Sequence, residues 1–109
     1  MKIAASCRKD VLWDITGNEL IFVFFDIDRG KIKSVSETPF IAGTLQQCAD
    51  FLVKNEVDLL FTPPVSEENR NILDNAGIHL IENLCGNVRM LVEAYLAGVL
   101  FDDPQYFSK

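Results

Sequence analysis

The sequence predicts an α/β protein in which three helices cover both faces of a mixed, five-stranded sheet, giving three α/β/α layers. Three observations support this fold class. The run Leu20–Ile27, which is apolar except for Asp26 and does not alternate, is typical of a strand buried on both faces. Later segments carry apolar residues at helical spacing, and short apolar runs separate them. The predicted order is β-β-β-α-β-α-β-α, in which strand–helix–strand units run parallel with right-handed crossovers.

The first three predicted strands come from the N-terminal half. Lys2–Cys7 is a short, mostly apolar run that predicts the first strand, and the following segment, Arg8–Asn18, is predicted to be irregular. A turn signal at Asp28-Arg29-Gly30 follows Leu20–Ile27. It leads into Lys31–Thr38, where polar and apolar residues alternate as in a half-exposed edge strand. These last two strands are expected to form a hairpin.

Each predicted helix begins at a polar capping residue. Thr44, with Gln47 three residues on, matches a capping box at the start of the first helix. Ser66 is expected to cap the second helix, and Gly77 to end it in a left-handed conformation. Gly86-Asn87 opens the third helix, whose apolar stripe runs to Val99. The remaining strands are predicted at Val57–Phe61 and Ile78–Ile81.

Length and charge limit the possible partners. The chain has 109 residues and a formal net charge of −6, which suits one domain over residues 1–109 with a sizeable core. Because no basic cluster is present, nucleic acid and anionic membrane surfaces are not expected as partners. No apolar run reaches the roughly 20 residues of a membrane span, and the N-terminus lacks a signal-peptide pattern. We therefore expect a cytoplasmic protein.

The cysteines indicate reduced thiols. Cys7, Cys48 and Cys85 are odd in number and widely spaced, so neither a disulfide framework nor a four-cysteine zinc site is predicted. A reducing compartment is the simplest interpretation. Cys48 falls on the apolar stripe of the first predicted helix and is expected in the core. His79 is interpreted as an exposed or packed strand residue rather than a metal ligand.

Several runs of the chain match a known family. The run DLLFTPPVS from Asp58, the run LDNAGIHLIE ending at Glu82, and the closing GNV and VEAYLAGVL segments resemble the dinitrogenase iron–molybdenum cofactor biosynthesis family. That family includes NifX-like proteins and the C-terminal domain of NifB-like proteins. The start, MKIA, and Asp26 also fit, so the resemblance covers nearly the whole chain. It implies a ribonuclease-H-like motif and a role in binding or carrying a metal–sulfur cofactor or its precursor.

The sequence departs from the family pattern at the positions suited to an anionic cofactor. Where the family has a histidine and an arginine ahead of the second strand, this chain has Ile15 and Asn18. Isoleucine cannot ligate iron, and asparagine lacks the guanidinium charge that could hold a cluster. The family's glycine-rich loop with a cysteine is replaced by Thr62–Ser66, where two prolines remove N–H donors. A protein that holds no cofactor is therefore the alternative expectation.

Candidate cofactor-binding residues lie where ligands sit in open α/β sheets, at the carboxyl ends of the parallel strands. They are Cys7, Thr62, Cys85 and Gly86. Cys7 and Cys85 are the candidate metal ligands, since two thiolates facing one crevice could hold an iron–sulfur species or a soft metal. The alternative is that both are ordinary small apolar residues in the core.

No catalytic constellation is found, so an enzyme is not predicted. Asp26 and Asp28 are interpreted as hairpin residues, because a two-metal nuclease needs more acids than this first strand supplies. Trp13 and the C-terminal aromatic residues are expected either to fold onto the core or to contact a protein partner or a second copy in a homodimer. Those C-terminal residues are Phe101, Tyr106 and Phe107.

Two functions follow as hypotheses. The first is a carrier of an iron–sulfur or iron–molybdenum cofactor precursor, as the family resemblance implies. The second is the same fold without a cofactor site, serving as an interaction or regulatory module.

Overall fold

Residues 1–13, 15, 19–41 and 43–98 are described by the computed structural model of the chain. Strands occupy most of the N-terminal half, and helices alternate with short strands after it. In chain order the elements are β1 (Lys2–Arg8), β2 (Val11–Leu12), β3 (Glu19–Asp28), β4 (Lys31–Ile41), α1 (Leu45–Lys54), β5 (Leu59–Phe61), α2 (Glu67–Asn75), β6 (His79–Ile81) and α3 (Val88–Leu96).

The strands form one mixed sheet with the order β4-β3-β1-β5-β6, and β2 pairs with β1 beside this path. β3 runs antiparallel to β1 and β4, whereas β5 is parallel to β1 and β6. The predicted three-layer α/β/α fold is confirmed. The prediction of five strands is wrong in one respect, since the described ranges contain six.

Two apolar clusters separate the three layers. Side chains alternate along β3, so Phe22 and Phe24 face α1 and α2, whereas Val23 and Phe25 face α3. Burial on both faces explains why β3 reads as a continuous apolar run. The cluster on the α3 side includes Ile3, Cys7, Leu12, Phe61, Leu91 and Val92, and the cluster on the side of α1 and α2 includes Ala4, Ile15, Cys48, Leu52, Leu60 and Leu73.

The additional strand β2 follows a tight turn for which the sequence carries no turn signal. Lys9 and Asp10 both have positive φ, at 49° and 68°, as the two central residues of a hairpin turn require. Neither is glycine or asparagine, the residues that usually mark such a turn. Burial of Leu12 in the α3-side cluster holds the hairpin in place. The prediction of an irregular segment after β1 is therefore wrong at residues 11 and 12.

The predicted caps are confirmed. Gln47 N–H donates to Thr44 Oγ1 at 3.2 Å, and Thr44 N–H donates to Gln47 Oε1 at 2.8 Å, which completes the capping box of α1. Ser66 accepts from the Asn69 amide at 3.2 Å at the start of α2. These bonds satisfy amides that have no partner within the helix.

Two elements end three residues away from the predicted position. α3 ends at Leu96, three residues short of Val99, where Gly98 adopts a φ of +77°. β4 continues past Thr38 to Ile41 despite Pro39. Proline is tolerated there because an edge strand need not donate every N–H to a neighbour. No helix in the described ranges is long and apolar enough to span a bilayer.

Candidate functional site

Cys7 lies near the end of β1 and is 4% exposed. It pairs with Ile21 of β3 on one side and with Leu12 of β2 on the other. Burial is the largest cause that raises the pKa of its thiol, and the carboxylate of Glu37 raises the pKa further. Burial and the raised pKa make this thiol less available as a thiolate ligand than an exposed cysteine.

A strand separates Cys7 from the other predicted thiol ligand. Leu12 N–H donates to the carbonyl oxygen of Gly86 at 2.9 Å, and Val88 N–H donates to that of Asp10 at 2.9 Å. The two residues of β2 therefore lie between β1 and the segment that enters α3. Cys85 precedes Gly86 in that segment and is exposed, whereas Cys7 is in the core. The structure does not bring these two cysteines into one crevice.

The backbone conformation at position 86 favours glycine. Its φ is +109°, a conformation that L side chains rarely adopt, and its carbonyl holds β2. A role in cofactor binding is not needed to account for it.

Thr62 follows β5 directly and is fully buried. Its N–H donates to the carbonyl of Ile81 at 3.0 Å, and its carbonyl accepts from the amide of Leu84 at 3.0 Å. Its hydroxyl oxygen finds no hydrogen-bond partner among the described residues. Through its backbone, Thr62 therefore links β5 to the segment at the end of β6. Its hydroxyl is a buried polar group without a partner among the described residues.

The position at which the resembled family has a histidine is occupied here by a core residue. Ile15 is 4% exposed and lies in the cluster beneath α1 and α2, whereas Cys7 lies in the cluster beneath α3. Asn18, at the position of the family arginine, lies outside the described residues. Of these two positions, only the one occupied by Ile15 belongs to the described residues.

The residues at this edge do not fit a metal–sulfur cargo held by Cys7 and Cys85. Cys7 is buried and its thiol pKa is raised, and β2 lies between it and the segment that contains Cys85. Within the described ranges, no three side chains of His, Cys, Asp or Glu converge as a metal site requires. Binding of a metal–sulfur cofactor or its precursor remains a prediction, which metal analysis can test.

A groove that the sequence did not predict lies between the start of α3 and β4. It has a volume of about 330 Å³. Its floor consists of strand side chains on the α3 side of the sheet, and polar residues stand around it. The lining residues are Val23, Phe25, Val35, Val88, Asp10, Glu37, Asn87 and Arg89.

The groove is acidic. Asp10 and Glu37 bring two carboxylates to it, and both raise the pKa of the nearby Cys7 thiol by their charge. Arg89 is the only lining residue with a positive charge, and its Nε donates to Glu93 at 3.1 Å. Alternation along Lys31–Thr38 placed Val35 and Glu37 on one face of β4. The position of Asp10 could not be predicted, because it depends on the unrecognised turn before β2.

Other candidate residues have ordinary structural roles. Cys48 is buried in the core, as predicted. His79 is exposed on β6, and Asp26 accepts a hydrogen bond from Ser34 Oγ across the hairpin at 3.0 Å. Trp13 is partly exposed, with the Arg8 guanidinium 5.1 Å from the centre of its ring. The aromatic residues predicted for the tail, at positions 101, 106 and 107, lie outside the described residues.

Comparisons with known proteins inform the fold. No family model and no curated protein matches this chain. The crystal structure of PH0822 is similar over 100% of both chains, with a TM-score of 0.84 and 18% sequence identity. At that identity the likeness shows the fold alone, a three-layer α/β/α class that supports many unrelated functions.

Proposed function

We propose that this chain is a non-catalytic interaction module that binds a short cationic segment of another protein in the groove between α3 and β4. The observation that carries this proposal is the composition of the groove, in which an apolar floor lies beside two carboxylates. Such a surface suits a segment that places Lys or Arg next to an apolar side chain.

The floor offers apolar contact area. Val35 is 42% exposed, and it lies opposite Phe25, which is buried under α3. Ile21, two pairs further along β3 on the same face, is also 42% exposed. α3 therefore covers the centre of the sheet but leaves apolar side chains toward β4 accessible. An accessible apolar surface with polar surroundings is typical of a site that contacts another protein.

The charges favour a cation. Asp10 and Glu37 are not balanced by Arg89, whose guanidinium already bonds to Glu93. The formal net charge of −6 adds to the negative potential. The same charges disfavour an anionic metal–sulfur cluster, so they support the interaction module over the carrier.

The carrier of a metal–sulfur precursor is the second candidate function. The observation that favours it is the buried hydroxyl of Thr62, which has no partner among the described residues and lies in the loop that stands where the resembled family has its cofactor loop. A hydroxyl there could donate to an anionic cargo. Both candidate functions assume reduced thiols and a cytoplasmic location.

Peptide probes test the interaction module. A short peptide that alternates lysine with leucine is titrated into the isotope-labelled chain, and a matched peptide has glutamate in place of lysine. The lysine peptide is expected to shift the amide signals of Val35, Glu37 and Arg89, and the glutamate peptide is not. Shifts that cluster elsewhere, or equal binding of both peptides, would contradict the proposal.

A matched pair of variants isolates the charge of the groove. Asp10→Asn removes one carboxylate and retains a residue that tolerates the left-handed backbone at this position, where φ is 68°. We expect it to weaken binding of the lysine peptide several-fold. Asp74→Asn makes the same charge change on α2, across the sheet from the groove, and is expected to leave binding unchanged.

A further inference from the structure

We propose that two copies of this chain associate through the outer edges of β4, extending the sheet across a two-fold axis at Val35. β4 spans 11 residues and is the last strand in the sheet order. Among the described residues it pairs with β3 only, so no described strand takes up the main-chain N–H and C=O groups of its other edge. Such an edge can accept a further strand, and an identical copy supplies one.

The register follows from the side chains. Antiparallel pairing about Val35 sets Val35 opposite its own copy and Lys33 opposite Glu37 of the second copy. By two-fold symmetry the Lys33–Glu37 pair occurs twice. Opposite charges directly across antiparallel strands stabilise the pairing. The two neighbouring registers lack this pair, because centring on Ser34 sets Lys33 opposite Val35, and centring on Ser36 sets Glu37 opposite Val35.

The fold leaves the central part of β4 available. Lys33, Val35 and Glu37 are all exposed. Two features restrict the length of pairing. The bulge at Lys33, the extra residue of β4 at the register shift between Asp26 and Ile27, makes Lys33 the last residue that can pair on one side, and Pro39, which has no N–H to donate, ends the pairing on the other. The paired segment is therefore short and centred near Val35, where the charge pattern is self-complementary.

The dimer would also join the two proposed binding grooves. Val35 and Glu37 line the groove as well as the edge strand, so in the dimer Glu37 would face Lys33 of the second copy and Asp10 would be the carboxylate left for a cationic ligand. Pairing about Val35 would bring the two grooves to the same side of a continuous sheet, with the Val35 side chains in contact across the axis. This inference does not depend on the identity of the ligand, because the mass of the protein and the binding of a peptide are measured separately.

Charge reversal tests the register. Sedimentation equilibrium of the full chain is expected to show a monomer–dimer equilibrium. Lys33→Glu or Glu37→Lys alone sets like charges opposite each other twice, and each is expected to weaken the dimer roughly ten- to a hundredfold. The double variant restores opposite charges and is expected to restore the dimer. A chain that stays monomeric at all concentrations, or a dimer that ignores the single variants, would overturn the proposal.

Cysteine cross-linking tests the position of the axis. Antiparallel partners lie about 4.5 to 5.5 Å apart at Cα, within the reach of a disulfide. In a Cys85→Ser background, Val35→Cys is expected to give a covalent dimer under mild oxidation. Ser36→Cys is the matched control, because its opposite residue is Ser34 of the second copy. Efficient cross-linking of Ser36→Cys with none of Val35→Cys would refute the register, and unchanged thermal unfolding would confirm that both variants fold.

Discussion

The amide of Leu12 donates a 2.9 Å hydrogen bond to the carbonyl oxygen of Gly86, which ties β2 to the segment that enters α3. Leu12 also pairs with Cys7 on β1. β2 therefore bridges two segments at the carboxyl edge of the sheet, where open α/β folds usually bind their ligands. A strand of only two residues thus determines that Cys7 and the loop containing Cys85 face different surroundings.

Substitution of Gly86 tests how much the contact between β2 and the segment entering α3 depends on the backbone conformation of residue 86. Apart from its chain neighbours, no described residue has an atom within 4 Å of a Cβ added at Gly86, so the cost of Gly86→Ala comes from the φ of +109°. We expect it to lower the free energy of unfolding by about 1–3 kcal/mol, measured by urea denaturation. Met90→Ala, at a residue of α3 that is 69% exposed, should stay within about 0.5 kcal/mol of wild type. Equal effects of the two variants would contradict this account.

The contact between α2 and the end of β6 predicts a dependence of stability on pH. Arg70 donates two hydrogen bonds of 2.6 Å to Glu82, and these lower the pKa of the Glu82 carboxyl from 4.5. A lowered pKa means that the stabilisation is fully present above about pH 4.5 and is lost as the pH falls through the lowered value. Glu82→Gln should therefore reduce the urea midpoint modestly at pH 7, and the difference from wild type should disappear in acid.

Glu93→Gln provides the control for that measurement. Its carboxylate bonds to Arg89 one helical turn away, with both side chains more than half exposed. Exposed pairs of this kind contribute little. A Glu93→Gln effect as large as that of Glu82→Gln, or a Glu82→Gln difference that grows in acid, would show that the Arg70–Glu82 contact is not the cause.

The packing of α1 against the sheet can be tested with two adjacent residues. Leu52 is fully buried in the cluster beneath α1, whereas its neighbour Val53 is 49% exposed. Leu52→Ala should cost about 2–5 kcal/mol through lost contacts and a residual cavity. Val53→Ala should be close to neutral. Urea denaturation of both variants measures the difference, and similar losses would indicate that α1 is rotated about its axis relative to this description.

The parts of the fold that were predicted from sequence are those whose signals are local. Thr44 and Gln47 form the predicted capping box because both partners belong to one turn of chain. Phe22 and Phe25 face opposite layers because a strand alternates, and the continuous apolar run already indicated burial on both faces. β2 was missed because Lys9 and Asp10 adopt positive φ without the residues that favour it. Its stability comes from distant contacts, with Gly86 among them.

The site was less predictable than the fold. Cys7 and Cys85 were grouped because both follow parallel strands, but whether their side chains meet depends on what lies between those strands. The groove combines residues from β3 and β4, from the β1–β2 turn and from the start of α3. No local pattern connects Glu37 with Asp10, so the acidic character of that surface needed the three-dimensional structure.

Metal analysis separates the two candidate functions. The chain is purified anaerobically and incubated with ferrous iron and sulfide. We expect iron and sulfide well below one per chain, with no change in the Cys7→Ser/Cys85→Ser double variant, because Cys7 is buried and β2 separates the two segments. A stoichiometric cluster in the wild type that is lost in the double variant would instead support the carrier function.

The three thiols should react in an order set by their burial. Cys85 is exposed, whereas burial raises the pKa of Cys7 and raises that of Cys48 to about 12. With a thiol-specific disulfide reagent at neutral pH, one fast phase is expected from Cys85, and the other two thiols should react only after local or global unfolding. Cys85→Ser should abolish the fast phase, whereas Cys48→Ala should leave its rate and amplitude unchanged. A second fast-reacting thiol that disappears in Cys7→Ser would show that β2 separates readily from β1. Cys7 would then be accessible as a metal ligand.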